Sequence, residues 1–189
     1  SSTEALSFDS VPKHLGIVGG GYIGLELGSV WSRLGSTVTV IEMLPKIATT
    51  LDGQVGRTLD RILKRQGLEF RLNTKVAKAA VAGKKVKAVL ESKGETEEMT
   101  FDRLLVSIGR RPLTRGLGIE ALGIDTDPKT GQILVDETYR TRVDGIYAIG
   151  DLVPGPMLAH KASAEGIAAV ECMAGRAGEV NYDTIPAVV

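Results

Sequence analysis

The chain has 189 residues, with 23 Lys plus Arg balanced by 23 Asp plus Glu, 43% hydrophobic residues and 24% charged ones. That balance suits one ordinary globular domain or two small ones; disorder is not the default reading, and nothing in the balance points to nucleic acid or an anionic membrane. No apolar run is long enough to cross a membrane, and the single cysteine, Cys172, excludes an intrachain disulfide.

In chain order, His14–Gly19 (HLGIVG) is a short apolar run closed by glycine, the pattern of a buried parallel strand. Tyr22–Leu34 has helical spacing, with Gly35 as its stop, and Ser36–Glu42 (STVTVIE) is a β-branched strand. Strand–helix–strand predicts the unit of a Rossmann-like, doubly wound parallel α/β sheet. Asp52–Gln66 is a second amphipathic helix stopped at Gly67, and Leu68–Leu72 a short strand. Three alternating segments, Lys75–Val81, Lys85–Glu91 and Glu97–Phe101, are separated by turns at Gly83 and Gly94 and predict a β-meander in place of a crossover helix. Leu104–Ile108 (LLVSI) is apolar throughout and predicts a central parallel strand. A second region follows: strands at Ile133–Val135 and Ile146–Ile149, a helix over Ala159–Ala174, then extended chain after Gly178. The expected division is a first domain over residues 1–111 and a second over 112–189.

The segment Gly19-Gly20-Gly21-Tyr22-Ile23-Gly24 has the form GxGxxG between a strand and a helix. Gly19 allows the sharp turn, Gly21 a close backbone approach to a pyrophosphate, and Gly24 tight packing of helix on strand. The helix start offers free N–H groups and a partial positive charge to phosphates. The next strand ends in Glu42, near the spacing expected of an acid that accepts hydrogen bonds from the adenosine ribose. A carboxylate there repels a 2′-phosphate, so NAD is expected over NADP. Glu26, early in the same helix, reads equally as a helix-dipole or capping acid. Trp31 reads as packing, Cys172 as a core or half-buried residue, and His14 as a surface residue.

Several motifs together resemble the dihydrolipoamide dehydrogenases of the flavin disulfide reductase family: Gly19–Trp31 (GGGYIGLELGSVW), Leu104–Pro112 (LLVSIGRRP), Ile146–Asp151 (IYAIGD), Pro156–Ala162 (PMLAHKA) and Asn181–Val189 (NYDTIPAVV). The resemblance covers nearly the whole chain. It implies an NAD-binding domain followed by the central part of an FAD-binding domain. It also implies a homodimeric parent that oxidises dihydrolipoamide through a dithiol and FAD and passes hydride to NAD. The resemblance further implies service in 2-oxo acid dehydrogenase complexes or glycine cleavage, in bacterial cytoplasm or mitochondrial matrix. Gly19, Gly20, Gly21, Tyr22, Ile23, Gly24 and Glu26 would surround the NAD pyrophosphate, Glu42 the ribose, Val76 the adenine, and Gly109 the nicotinamide half. Asp151 would bind a flavin ribityl hydroxyl. Met157, Leu158, Ala159 and His160 would form the helix start under the flavin pyrimidine ring, His160 acting through its backbone. None of these is assigned as catalytic, and no metal site is expected.

The family chemistry needs a cysteine pair, a second phosphate fingerprint for FAD and an acid–base histidine. These residues supply one cysteine, one GxGxxG, and two histidines, His14 and His160, neither in the expected context. The segment is therefore expected to begin after a first flavin segment, to end before an interface domain, and to bind NAD without dehydrogenase activity. Two other readings stay open: a different NAD(P)-linked flavin disulfide reductase, or a non-catalytic NAD-binding module.

Overall fold

A computed structural model describes residues 1–189, which divide into two compact units, Ser1–Gly109 with Ala187–Val189, and Arg110–Pro186. The first unit opens with a short helix, α1 (Ser2–Ala5), then β1 (His14–Val18), α2 (Tyr22–Arg33), β2 (Thr37–Ile41), α3 (Gly53–Arg65) and β3 (Leu68–Arg71). β4 (Lys75–Ala82), β5 (Lys85–Ser92) and β6 (Glu95–Phe101) follow, and β7 (Arg103–Val106) closes the unit.

β3, β2, β1 and β7 form one parallel sheet in that order, and β4, β5 and β6 a separate antiparallel sheet. The chain class is thus mixed α/β, as expected, and the meander stands where it was expected. The Leu104–Ile108 strand is not central: β7 ends at Val106 and lies at the sheet edge, paired only with β1. Its last residues are correspondingly open to solvent, Ile108 being 75% exposed.

Apolar spacing fixes the first core. Leu15, Ile17, Val38 and Val40 are fully buried on the sheet face that packs against the helices and join Leu25, Trp31, Leu63 and Leu105 in one cluster. Trp31 packs as expected and also donates its indole N–H to the Ala5 carbonyl at 3.1 Å, which ties down α1. The other face of the parallel sheet is covered by the meander through Ile41, Ala88, Leu90 and Phe101. Gly16 permits that contact: a Cβ there would meet Phe101 Cδ1 at 2.8 Å and Leu104 Cδ1 at 2.7 Å.

The second unit is held by two apolar clusters, one around Ile119, Ile124, Ile133, Ala148 and Val153, the other around Tyr139, Ala168 and Ala169. The strands expected at Ile133–Val135 and Ile146–Ile149 do not form. Only single bridges, Thr126 to Ile133 and Arg140 to Tyr147, are made. Amides such as Ala148 N, which donates to Tyr139 O, close these bridges, while Ile133 N turns away and donates to Leu152 O. α4 (Ala159–Met173) matches the predicted helix, preceded by a tight helical turn at Gly150–Leu152; the stretch after Gly178 contains a short turn at Tyr182–Thr184.

Candidate dinucleotide site

The chain steps outward from β1 to β2 to β3, then returns to place β7 on the opposite side of β1. Such a reversal opens a crevice beyond the carboxyl ends of the strands, the usual place for a ligand in open α/β sheets. Gly19 and Ser107 sit at the ends of β1 and β7 at that point, where Ser107 N donates to Val18 O at 2.9 Å.

The three spaced glycines stand in different surroundings. Gly19 has φ +107°, and a Cβ on it would lie 2.5 Å from the Ser107 carbonyl oxygen. Gly24 has no room either: a Cβ would collide with the Gly19 carbonyl and approach Ser107 Oγ at 2.8 Å. Gly21 differs. Its backbone is extended, φ −80° and ψ 173°, a conformation open to any residue, and a Cβ there would have no neighbour within 4 Å. Neither conformation nor packing within the chain asks for glycine at Gly21. Ser107, which fills the space beside both Gly19 and Gly24, was visible in the sequence only as a polar residue within an apolar strand.

Gly21 is also the cap residue of α2, and no side chain caps that helix, so Tyr22, Ile23 and Gly24 present their amides at its start. The contrast with α3 is internal to the unit: there Asp52 accepts from Gln54 N and Val55 N, at 2.8 and 3.3 Å. These bonds hold the Asp52 carboxyl below the usual aspartate range. An uncapped helix start beside an open glycine suits an anionic ligand.

Glu42 follows β2, and its carboxylate is fixed by the backbone: Gly20 N donates to Oε2 at 2.6 Å and Leu44 N to Oε1 at 2.7 Å. It therefore joins the glycine loop to the loop after β2. An ionised carboxylate has about four acceptor positions, so about two stay available to a ligand hydroxyl. Thr74 N donates to Glu42 O at 3.0 Å, which brings the start of β4 to the same place, and Val76 there is half-buried against the cluster containing Ile41. Gly109 is exposed with φ +133°. Glu26 is exposed in the second turn of α2 and is not a cap, which removes the capping alternative for it.

His14 is not a surface residue. Its ring is half-buried edge-on to Phe101, centroids 4.7 Å apart, and its Nε2 lies 2.9 Å from Thr39 Oγ1. Its amide donates to Asp102 Oδ2 at 2.8 Å, the main cause that keeps the Asp102 carboxyl below the usual range. The first position of β1 thus points into the interface between the two sheets, a placement that strand alternation alone does not give.

In the second unit, Asp151 follows Gly150 in the tight turn and forms an ion pair with Arg110. α4 starts after Leu158 with no side-chain cap, so Ala159 and His160 lead with unpartnered amides. Met157 and Leu158 are half-buried, and the exposed His160 ring meets the Pro186 carbonyl at 2.9 Å. Sequence reasoning missed the group behind this turn. Lys161 and Glu165 are both completely buried and paired at 3.1 Å. Glu165 Oε2 accepts from Gly150 N at 2.7 Å, and Lys161 Nζ donates to Gly150 O at 3.0 Å. Tyr182 OH donates to Glu165 Oε1 at 2.8 Å and lies 3.3 Å from Tyr139 OH. Desolvation, reinforced by these two neighbours, pushes the Tyr182 phenol upward. Cys172 is half-buried, as expected.

Residues 1–166 match the family described as pyridine nucleotide-disulphide oxidoreductase. The whole chain is 49% identical to a mitochondrial dihydrolipoyl dehydrogenase of Pisum sativum, covering 38% of that protein. It is 50% identical to dihydrolipoyl dehydrogenase 3 of Pseudomonas putida, covering 40% of it, and 50% identical to a leghemoglobin reductase of Vigna unguiculata, covering 36%. Among solved structures it is similar to the HOCl-induced flavoprotein disulfide reductase RclA from Escherichia coli, with TM-score 0.82, 30% identity, 97% of this chain and 41% of that one. The chain thus spans well under half the length of these relatives, and none of its helices is long and apolar enough to cross a membrane.

Proposed function

The chain belongs to the pyridine nucleotide-disulphide oxidoreductase family, and on that premise we propose that it is the NAD-binding domain and the central FAD-contacting portion of a dihydrolipoyl dehydrogenase. The domain boundary of this reading lies near Arg111–Pro112. The observation that carries its NAD-binding part is Gly21: an exposed glycine that the fold itself does not require, at an uncapped helix start, beside a carboxylate pinned to the same loop. A dinucleotide supplies the missing reason for glycine there, because its pyrophosphate needs the backbone amides at contact distance.

In this reading Tyr22, Ile23 and Gly24 turn their amides to the pyrophosphate, and Glu42 takes the adenosine ribose while still holding Gly20. Val76 flanks the adenine, and Glu26 and Gly109 border the nicotinamide half. The carboxylate of Glu42 selects NAD over NADP by repulsion of a 2′-phosphate. Asp151 receives a ribityl hydroxyl of FAD, and the amides at Ala159 and His160 favour negative charge on the flavin pyrimidine side. FAD and NAD supply two-electron and hydride chemistry when bound; the protein groups here bind, orient and exclude water. With Cys172 alone these residues hold no dithiol, so residues 1–189 bind NADH without oxidising dihydrolipoamide. The whole protein is a homodimer that serves 2-oxo acid dehydrogenase complexes or glycine cleavage, in mitochondrial matrix or bacterial cytoplasm.

The test is a titration of the chain with NADH and with NADPH, followed by nicotinamide fluorescence and repeated for Glu42→Ala. Saturable NADH binding, tighter than NADPH and weakened by the substitution, is the expected result. NADH binding that Glu42→Ala leaves unchanged would remove Glu42 from the site.

A further inference from the structure

The buried Lys161–Glu165 pair sits where a helix does not want it. Lys161 is a cation in the first turn of α4, next to the positive end of the helix dipole. Lysine four residues before glutamate is also the less favourable order for a helical pair. Both side chains are fully buried, a placement in which desolvation offsets much of their attraction. Helix stability therefore does not account for the pair.

Its contacts do. Glu165 holds the N–H of Gly150 and Lys161 holds its C=O. These groups belong to the two successive peptide planes on either side of the Gly150 Cα, and the second plane carries the Asp151 nitrogen. Gly150 has φ +71°, a left-handed conformation that is cheap only for glycine and that a glycine would otherwise leave freely. Ala162 closes the remaining side, 3.1 Å from where a Gly150 Cβ would be. The direction in which Asp151 leaves the chain is thus set by two charged side chains that never reach the surface. Tyr182 extends the same network, with its hydroxyl on Glu165 although the residue is 46% exposed.

We infer that Lys161 and Glu165 are positioning residues for FAD, which fix the Gly150–Asp151 turn so that the Asp151 carboxylate meets a ribityl hydroxyl; this rests on the proposed flavin role of Asp151. Tyr182 steadies Glu165 within that clamp. Arg110 already pairs with one Asp151 oxygen, so the clamp and Arg110 together set where the other oxygen is offered to the ligand.

The test uses the full-length flavoprotein with Lys161→Met, Glu165→Gln, Tyr182→Phe and, as reference, Asp151→Asn. The readouts are FAD affinity on reconstitution of the apoprotein, the visible circular dichroism of bound flavin, and NADH affinity. Lys161→Met is expected to weaken FAD about tenfold, a size common for residues that orient a ligand-binding group, and to alter the visible dichroism. NADH affinity stays unchanged. Tyr182→Phe gives a smaller change in the same direction, and it keeps the inference testable should Lys161→Met fail to fold. If the folded clamp variants bind FAD like the unmodified protein, with unchanged dichroism, while Asp151→Asn weakens it, the clamp has no positioning role. If Asp151→Asn also leaves FAD binding intact, the flavin role of Asp151 falls, and the inference with it.

Discussion

Two turns in this molecule face the same structural problem and meet it by different means. At Gly19–Gly24 and again at Gly150–Ala159, the chain must present backbone amides at an uncapped helix start. The first turn is shaped by side chains that are absent: Gly19 and Gly24 lie so close to Ser107 and to one another that a single methyl group has no place. The second is shaped by side chains that are present, the buried Lys161 and Glu165 on Gly150. A turn built on missing Cβ atoms leaves a signature in the sequence; a turn built on a buried pair does not.

The comparison breaks most readily at the pair. Lys161→Met leaves the Glu165 charge buried without its cation and is expected to cost roughly 3–5 kcal/mol of stability, read as a lower urea midpoint. A Lys161→Met/Glu165→Leu double variant should recover part of that loss, since matched apolar replacements of buried pairs are tolerated. Equal losses in the single and double variants would mean that the backbone contacts to Gly150 outweigh the charge pair. The glycine-built turn answers next. Gly24→Ala forces backbone against backbone and should cost about 2–3 kcal/mol, within the range for overpacking, and abolish NADH binding. Gly28→Ala, on the same helix, meets side-chain ends rather than backbone: Ile17 Cδ1 at 2.9 Å, Val38 Cγ1 at 3.4 Å and Leu68 Cδ2 at 3.5 Å. It gains up to about 1 kcal/mol of helix propensity, so its net change should be near zero.

That difference explains what could be read from the sequence. Apolar runs and helical spacing located β1, β2, α2, α3 and α4 to within a residue or two, because those elements bury a run or a stripe, and the turns at Gly83 and Gly94 marked off the alternating strands of the meander. Ile133–Val135 and Ile146–Ile149 look like strands for the same reason, yet their amides go to loops and single bridges, and partners are not written in a local pattern. The edge position of β7 and the inward turn of His14 depend on which sheet lies opposite. The fingerprint was legible because the turn and the helix–strand contact admit no Cβ at Gly19 or Gly24, and Glu42 because it follows the next strand of the same unit. Lys161 and Glu165 look like an exposed helical pair, but a signal was available. They fall at helical spacing from Ala168, Ala169 and Cys172, so the apolar stripe of α4 runs straight through two charges.

Acid offers a smaller handle on the first unit. The folded-state value of the Asp102 carboxyl is depressed by the His14 amide and by Lys85. Its contribution is therefore complete above the ordinary aspartate value of 3.8 and is lost as pH falls through the lower folded value. Asp102→Asn should lower the urea midpoint at neutral pH and flatten its decline on acidification. A decline as steep as in the unmodified chain would assign acid sensitivity to other carboxylates of this unit, such as Asp52, which is held low chiefly by the Gln54 amide.

A small change in stability carries the most about function. Gly21→Ala adds a methyl group into open space on an extended backbone, so folding should lose only about 0.5 kcal/mol, the usual difference between these residues at a helix cap. For a bound pyrophosphate the same methyl group stands between ligand and amides, and NADH affinity should fall by about tenfold or more, equivalent to roughly 1.4 kcal/mol or greater. Gly24→Ala removes binding by removing the turn; Gly21→Ala would remove it from a turn that is intact. Stable Gly21→Ala protein that binds NADH as before would mean that the open glycine is incidental, and the nucleotide would then have to lie farther from the start of α2 than the fingerprint implies.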